Sequence, residues 1–427
     1  MVRKTHTYTI NTSINFKNQL IEYSRNFSCF CFLDDNLHSD NSFDFLLAFN
    51  VKKDLNFTSN PFEELEKFLK INQDWVFGYL SYDLKNNIEN LDSKNLDYHN
   101  FPKFHFFIPE FIIKVKSETV DFLCNSIHSK KDIDEMFNHI CSLDLSKKSI
   151  PSVDVKSRIS KLEYIDTIKS IKQHLQMGDI YEVNYCQEFY VDNLDLDPFS
   201  VFLQLNKMSP SPFASLYRIN NHFCMCSSPE RYLKKEGKRI FSQPIKGTIK
   251  RSSDDTLDLK NQKYLLGSDK DFSENVMIVD LVRNDLSKIA TSNSVQVDEL
   301  ATLYSYQDVH HLISTISCDL REDKTFIDVI KATFPMGSMT GTPKIKSMQL
   351  IEKYEKTLRG LYSGSIGYIN PEKDFDFNVV IRSIFFNTQS NYLSFMVGGA
   401  ITIESDPEME YEECLVKAKS IFKLLNK

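Results

Sequence analysis

Four carboxylates fall into two pairs of equal spacing, Asp271 with Glu274 and Glu410 with Glu413. Residues three apart share a helix face, so both side chains of each pair point the same way. Together the pairs can hold one hard divalent cation through oxygen, with water completing the shell, which suits magnesium. The same spacing also serves acids stationed at helix starts, where the macrodipole favours negative charge. A second candidate is Lys246, within Pro244-Ile245-Lys246-Gly247-Thr248. Apolar neighbours would strip its hydration, lower its pKa and leave a nucleophilic amine; otherwise it is a solvated charge at a strand end. Glu230, in Ser228-Pro229-Glu230-Arg231, is either a proton donor or the ion partner of Arg231. His310 and His311 adjoin, so only one of them faces any given site.

The run Met336-Gly337-Ser338-Met339-Thr340-Gly341-Thr342-Pro343-Lys344 is a loop of mostly small residues entering a helix start, where backbone N–H groups and the helix dipole can receive an anion. Gly341 precedes Thr and Pro where a P-loop needs Gly-Lys-Ser/Thr, which points to a carboxylate and away from a nucleoside triphosphate. A tight structural turn has the same composition. Asp280, Arg283 and Asp285 read as a structural ion-pair network on an apolar helix.

These residues need elements to position them. Leu162, Ile165, Ile168, Ile171 and Leu175 recur every three to four residues, predicting a helix that stops at Gly178. A strand follows over Ile180 to Val191, placing Glu182, Asn184 and Cys186 on one face. A helix is expected from Glu274 to Ile289, and another from a Thr342-Pro343 start to about Glu355. Asp254 to Ser268 is polar and carries no clear period. Phe375 to Phe386 alternates as one strand, with Arg382 on the face of Asn378 and Asp376. Ser405-Asp406-Pro407-Glu408 has a capping signature, followed by a last helix with Tyr411, Cys414, Leu415, Ala418, Phe422 and Leu425 inward. Antiparallel strand pairs with helices scattered between them predict a layered α+β sandwich.

With 427 residues, 41% hydrophobic and 12% aromatic, the chain has ample apolar surface for a large core. The polar stretch Ser142 to Ser160 suggests a boundary between a scaffold region, 1–150, and a reactive region, 156–427. A net charge of −7 without long basic runs argues against nucleic acid or anionic membrane as partner. No run of apolar residues approaches a membrane span, and the polar start of the chain has no signal core, so a cytoplasmic protein is expected. Nine cysteines without a C-x-x-C pair read as free thiols, buried at Cys29/Cys31 and Cys224/Cys226.

From Lys161 to Leu425 the order and wording of the motifs resemble the chorismate-utilising enzymes, and within them the aminodeoxychorismate synthase component I type. The carriers are GDIYEVN, SPER, PIKGT, SENVMIVDLVRND, VHHL, GSMTGTPK, GSIGY, VIRS and VGGAIT followed by EYEECLVKA. The resemblance implies two antiparallel β-sheets packed as a sandwich with helices outside, and assigns roles. Glu274 and Glu413 would ligate Mg2+, with Asp271 and Glu410 supporting through water. Arg382, Tyr368 and the Gly341–Thr342 backbone would grip carboxylates, with Lys344 adding positive charge. His311 would sit beside the ring, and Gly398–Gly399 would permit close approach. Lys246 would attack ring carbon C2 while Glu230 protonates the departing C4 hydroxyl. Anthranilate synthases carry alanine at the position of Lys246. Hydroxylating members carry a water-activating lysine where this chain has Glu182.

Two positions depart from the pattern: Glu182 stands for the usual glutamine and Met336 for a frequent glycine. The Leu-Leu-Glu-Ser element of tryptophan-inhibited anthranilate synthases is missing. None of the nine cysteines lies in a small-residue nucleophile elbow, Cys186 and Cys226 included. The resemblance therefore implies ammonia from a separate glutamine amidotransferase subunit.

Overall fold

The computed structural model describes residues 3–38, 42–56, 58–145, 148–306 and 309–425. The strand Phe104–Lys116 is buried at nearly every position, as its apolar run demands of a strand covered on both faces. Its first half pairs with Val76–Leu80 and its second with Thr119–Cys124, while Phe45–Asn56 follows its other edge. The register slips between Val51 and Lys53, where Pro109 has no N–H to give to the ladder. A bulge of this kind bends the pair, so these two long strands divide one continuous hydrogen-bonded network of 20 strands into two branches, each forming a sheet.

One sheet continues from Phe45–Asn56 through Cys29–Asp34, Phe213–Ile219, His222–Ser228, Ser383–Asn387 and Tyr392–Ile401 to Glu182–Val191. The other runs from Val76–Leu80 through Ser365–Ile369, Phe375–Asn378, Arg231–Glu236 and Arg239–Gln243 to Val309–Asp319. Every strand ladder among the described residues is antiparallel, as expected, and one isolated parallel bridge joins Leu96 and Thr357. Strands before the Ser142 to Ser160 stretch therefore pair directly with strands after it, and the N-terminal third contributes to both sheets. One apolar core includes Phe16, Ile133, Tyr164, Ile168, Phe202 and Leu424, on the helices that cover the first sheet. A second includes Leu46, Phe77, Tyr217, Phe377, Ile278 and Ile327.

Several elements differ locally from the sequence expectation. Asp254 to Ser268 contains the helix Asp255–Leu266, capped by the Asp254 carboxylate. The next helix begins earlier than Glu274, at Asp269, because Ser268 caps it. The expected Phe375 to Phe386 strand is two strands, Phe375–Asn378 and Ser383–Asn387, separated by a break that ends at Arg382, whose φ is +50°. The helix expected to start at Thr342-Pro343 spans Lys344–Tyr354, with Pro343 as its N-cap. Ser405 is not the cap of the penultimate helix, Pro407–Lys417: Asp406 is, and Ser405 Oγ donates instead to Glu410. The last helix is separate, Lys419–Leu425. No helix among the described residues is long and apolar enough to cross a membrane. All nine cysteines are free thiols, and eight are buried; Cys141 is exposed.

Candidate active site

The ends of the two sheets bring the reactive residues together. Ile245–Lys250 pairs with Val309–Asp319, and its register slips between Ile245 and Thr248. Lys246 and Gly247 occupy that slip, a device that re-aims side chains. Gly247 has φ +90°, and a Cβ there would sit 3.1 Å from Asp271 Cβ, so PIKGT lies directly against the start of the helix Asp269–Ser287. Asn275 Nδ2 donates to the Lys246 carbonyl at 2.7 Å and fixes the same contact. Lys246 itself is only 8% exposed.

Its ammonium donates to Glu182 Oε1 at 2.6 Å. Glu182 comes from the far sheet and is fully buried, with Oε2 unpartnered. The expected fall in the Lys246 pKa does not occur. Burial pushes it down, but the carboxylates of Glu182, Glu274 and Glu230 outweigh burial and hold it above the ordinary lysine value. Lys246 is therefore charged at neutral pH. Sequence reading missed this pair because its members are 64 residues apart and neither spacing nor period links them.

Glu230 follows the strand His222–Ser228, with its N–H donating to Ser228 Oγ at 3.2 Å. Its carboxylate accepts a 2.6 Å bond from Ser338 Oγ. Burial lifts the carboxyl to about 7, opposed by the Ser338 bond and by the charges of Lys246 and Arg382. Arg231 turns elsewhere and pairs with Asp376 at 3.0 Å, so Asp376 is its ion partner. Arg382 is held in a left-handed backbone conformation, unfavourable for a long side chain. Its guanidinium makes no ion pair with another described residue within 4 Å, burial lowers its pKa, and it feels the Glu230 charge.

Of the adjacent histidines, His311 faces this cluster. Nδ1 bonds Thr248 Oγ1 at 2.7 Å, Nε2 is buried without a partner, and burial beside Arg382 keeps the ring neutral. His310 faces the other way and bonds Asp258 and Ser305. Gly341 and Thr342 pair with Val183 and Glu182. With φ +141°, and a Cβ that would fall 2.2 Å from the Glu182 carbonyl, position 341 requires glycine. Thr342 Oγ1 is buried and unpartnered. Gly398 lies against Cys186, where a Cβ would be 2.2 Å from the Tyr185 carbonyl.

Two residues of the expected set are placed elsewhere. Tyr368 packs its ring against Phe43, Trp75 and Phe77, in the aromatic cluster on the N-terminal strands. Lys344 donates to Asp285 and to the Thr333 carbonyl, so its charge is spent on a buried ion pair. Asp285 also pairs with Lys288, and Arg283 pairs with Asp280 on the surface.

Glu274 lies on the helix Asp269–Ser287, and Glu410 and Glu413 lie on the helix Pro407–Lys417. A Cβ on Gly399 would be 3.2 Å from Glu410 Oε2 and 3.6 Å from Glu413 Oε1, so these two carboxylates converge there. Lys270 bridges Glu274 and Glu410, with Nζ 3.9 and 3.5 Å from the respective Oε1 atoms. Lys417 pairs with Glu413 at 2.7 Å. Among the described residues no three potential ligands stand ready as a metal cradle. The donor set nevertheless suits a hard cation. Glu274 Oε1 is buried without a hydrogen-bond partner, and the carboxyl is lifted to about 7, by burial first and then by Glu182, against the pull of Lys246. Burial raises Glu410 as well. An ammonium already occupies the gap between Glu274 and Glu410, where a cation is electrostatically favoured. Asp271 turns toward Gly247. Lys270 and Lys417 escaped sequence reading, although each stands four residues from its glutamate, a helix-face spacing that signals them.

The chain is 39% identical over 268 residues to a putative aminodeoxychorismate synthase of Schizosaccharomyces pombe, covering 62% of this chain and 37% of that protein. It is 36% identical over 274 residues to aminodeoxychorismate synthase component 1 of Escherichia coli K12, covering 64% and 60%. An anthranilate synthase component I-like protein of Synechocystis is 33% identical over 376 residues, covering 87% and 76%. The chain thus spans from about a third to three quarters of the length of these relatives. In fold it is similar to the crystal structure of anthranilate synthase component I from Streptococcus pneumoniae, with a TM-score of 0.78 at 24% identity over 90% of this chain and 93% of that one. Residues 29–423 match the description of the chorismate binding enzymes throughout, and the chain belongs to that family.

Proposed function

We propose that this chain aminates chorismate at C4 with ammonia, giving 4-amino-4-deoxychorismate, with Lys246 as covalent nucleophile and Glu230 as proton donor. The observation that carries the reading is a buried amine, Lys246, held by Glu182 and close enough to Glu230 for its charge to act on that carboxyl, which burial lifts to about 7. The names of two of the similar relatives support the same chemistry.

Chorismate is a dicarboxylate. Arg382 and the Gly341–Thr342 segment receive its carboxylates, and the neutral His311 ring offers Nε2 beside the cyclohexadiene ring. Magnesium, held by Glu274, Glu410 and Glu413, would offset repulsion between those acids and the anionic substrate. Lys246 is protonated at rest, so it first passes a proton to Glu182 Oε1, which already accepts its hydrogen bond. The free amine then bonds C2, the ring electrons shift, and the C4–O bond breaks. Glu230 protonates the leaving hydroxyl, which departs as water. Ammonia bonds C4, the C2–N bond breaks, and the lysine recovers its proton from Glu182 while the new ammonium returns one to Glu230. Protons and charges balance over the cycle.

The ammonia comes from a separate glutamine amidotransferase subunit, and ammonium salts at high pH replace it. The test is Lys246→Ala with chorismate, magnesium and ammonium, the C4 amine being read by chromatography. Loss of amination in a folded variant supports the reading. Near-normal turnover, or fluorescent anthranilate from the unaltered protein, overturns it.

A further inference from the structure

Three ammonium groups stand among the acids of this site, and they are held very differently. Lys246 bonds Glu182 at 2.6 Å and is buried. Lys417 bonds Glu413 at 2.7 Å and the Gly398 carbonyl at 3.1 Å. Lys270 makes two long contacts, 3.9 Å to Glu274 and 3.5 Å to Glu410, and its side chain is 45% exposed. It also sits in the first turn of the helix Asp269–Ser287, where the macrodipole disfavours a positive charge. Neither tight hydrogen bonding nor helix position accounts for it. What holds it there is the field of the Glu410, Glu274 and Glu413 carboxylates.

We infer that Lys270 is an internal counter-ion that stands in the divalent-cation position and must swing out to solvent when the cation binds, so that it sets the affinity of the site for metal. This rests on the reading that the site takes a divalent cation. The exchange is feasible: the lysine is half-exposed at the rim, and its long stem can carry the charge into water without exposing apolar core. The consequence is a graded one. Metal binding replaces one positive charge by two, so part of the attraction of Glu274 and Glu410 for the metal is cancelled by loss of the ammonium they already held. A site built this way binds free metal weakly, and its acids are never left as an uncompensated buried pair.

The test uses the full chain without substrate and titrates Mn2+ by electron paramagnetic resonance, with Lys270→Met, Lys270→Arg and the unaltered protein side by side. Removing the competing charge should tighten Mn2+ binding about tenfold in Lys270→Met, equivalent to ~1.4 kcal/mol. Lys270→Arg should stay within about twofold, and the gap should shrink as salt screens the rim charge. Circular dichroism checks folding, and Lys270→Gln replaces the Met variant if that one does not fold. Equal or weaker Mn2+ binding on removal of the charge overturns the inference and leaves the metal reading standing. Failure of every variant to bind Mn2+ overturns both.

Discussion

Replacing Glu230 by Gln should make the protein more stable above neutral pH while stopping its chemistry. The Glu230 carboxyl is lifted by burial from 4.5 to about 7. Below pH 4.5 both folded and unfolded chains carry it protonated, and the side chain adds no pH dependence. Between 4.5 and about 7 the unfolded chain ionises while the folded one does not, so stability falls as pH rises. Above about 7 the full cost of a buried charge persists, roughly 3 kcal/mol at 1.36 kcal/mol for each pKa unit. Gln has the same shape, still accepts from Ser338, and never ionises. The two proteins should therefore melt together near pH 4.5 and separate by pH 8. With an unfolding entropy of about 0.9 kcal/mol/K for a chain of this length, the separation is about 3 °C. Paired thermal melts at the two pH values measure it, and amination with ammonium should fall by about 10²–10⁴ in the variant. A gap that is the same at both pH values, or a variant less stable at pH 8, would refute the placement of Glu230 as a buried acid.

Other expectations are simpler. Ser338→Ala removes the hydrogen bond that holds the Glu230 pKa down, so the alkaline fall in amination rate, normalised to free ammonia, should move to higher pH. Gly341→Ala would push a methyl to 2.2 Å from the Glu182 carbonyl at φ +141°; it should cost several kcal/mol, about what overpacking and backbone strain together impose, and urea melts will show it. Tyr368→Phe should leave the KM for chorismate within about twofold, since that ring packs on Trp75 and Phe77; a large rise would return Tyr368 to the substrate.

Much of the site was legible in the chain because motifs carry local geometry. The PIKGT and GSMTGTPK runs each place a glycine where the backbone takes positive φ, and Gly247 and Gly341 do so. The stop at Gly178 closes the helix Lys161–Gln176 as the periodicity predicts, and the structure adds a capping box from Ser160 to Glu163 at its start. What was not legible lies between distant segments. Spacing reports on one element at a time, so it could not pair Lys246 with Glu182, or Ser338 with Glu230 across 108 residues. Burial alone suggested a depressed lysine, whereas the sum of three carboxylates reverses the sign. The alternation of Phe375 to Phe386 read as one strand because a break that keeps side-chain polarity leaves no mark; only the left-handed Arg382 reveals it. Tyr368 was placed by motif order, but the face it takes is set by pairing with Val76–Leu80, a strand far upstream.

The covalent role of Lys246 is open to direct observation. Protein mixed with chorismate and magnesium in the absence of ammonia, quenched in acid and digested, should yield the peptide containing Lys246 with added mass equal to chorismate less one water. The adduct should vanish when ammonium is supplied and should not form in Lys246→Ala. Full-rate amination with no adduct on any peptide, or with the adduct on another residue, would contradict it.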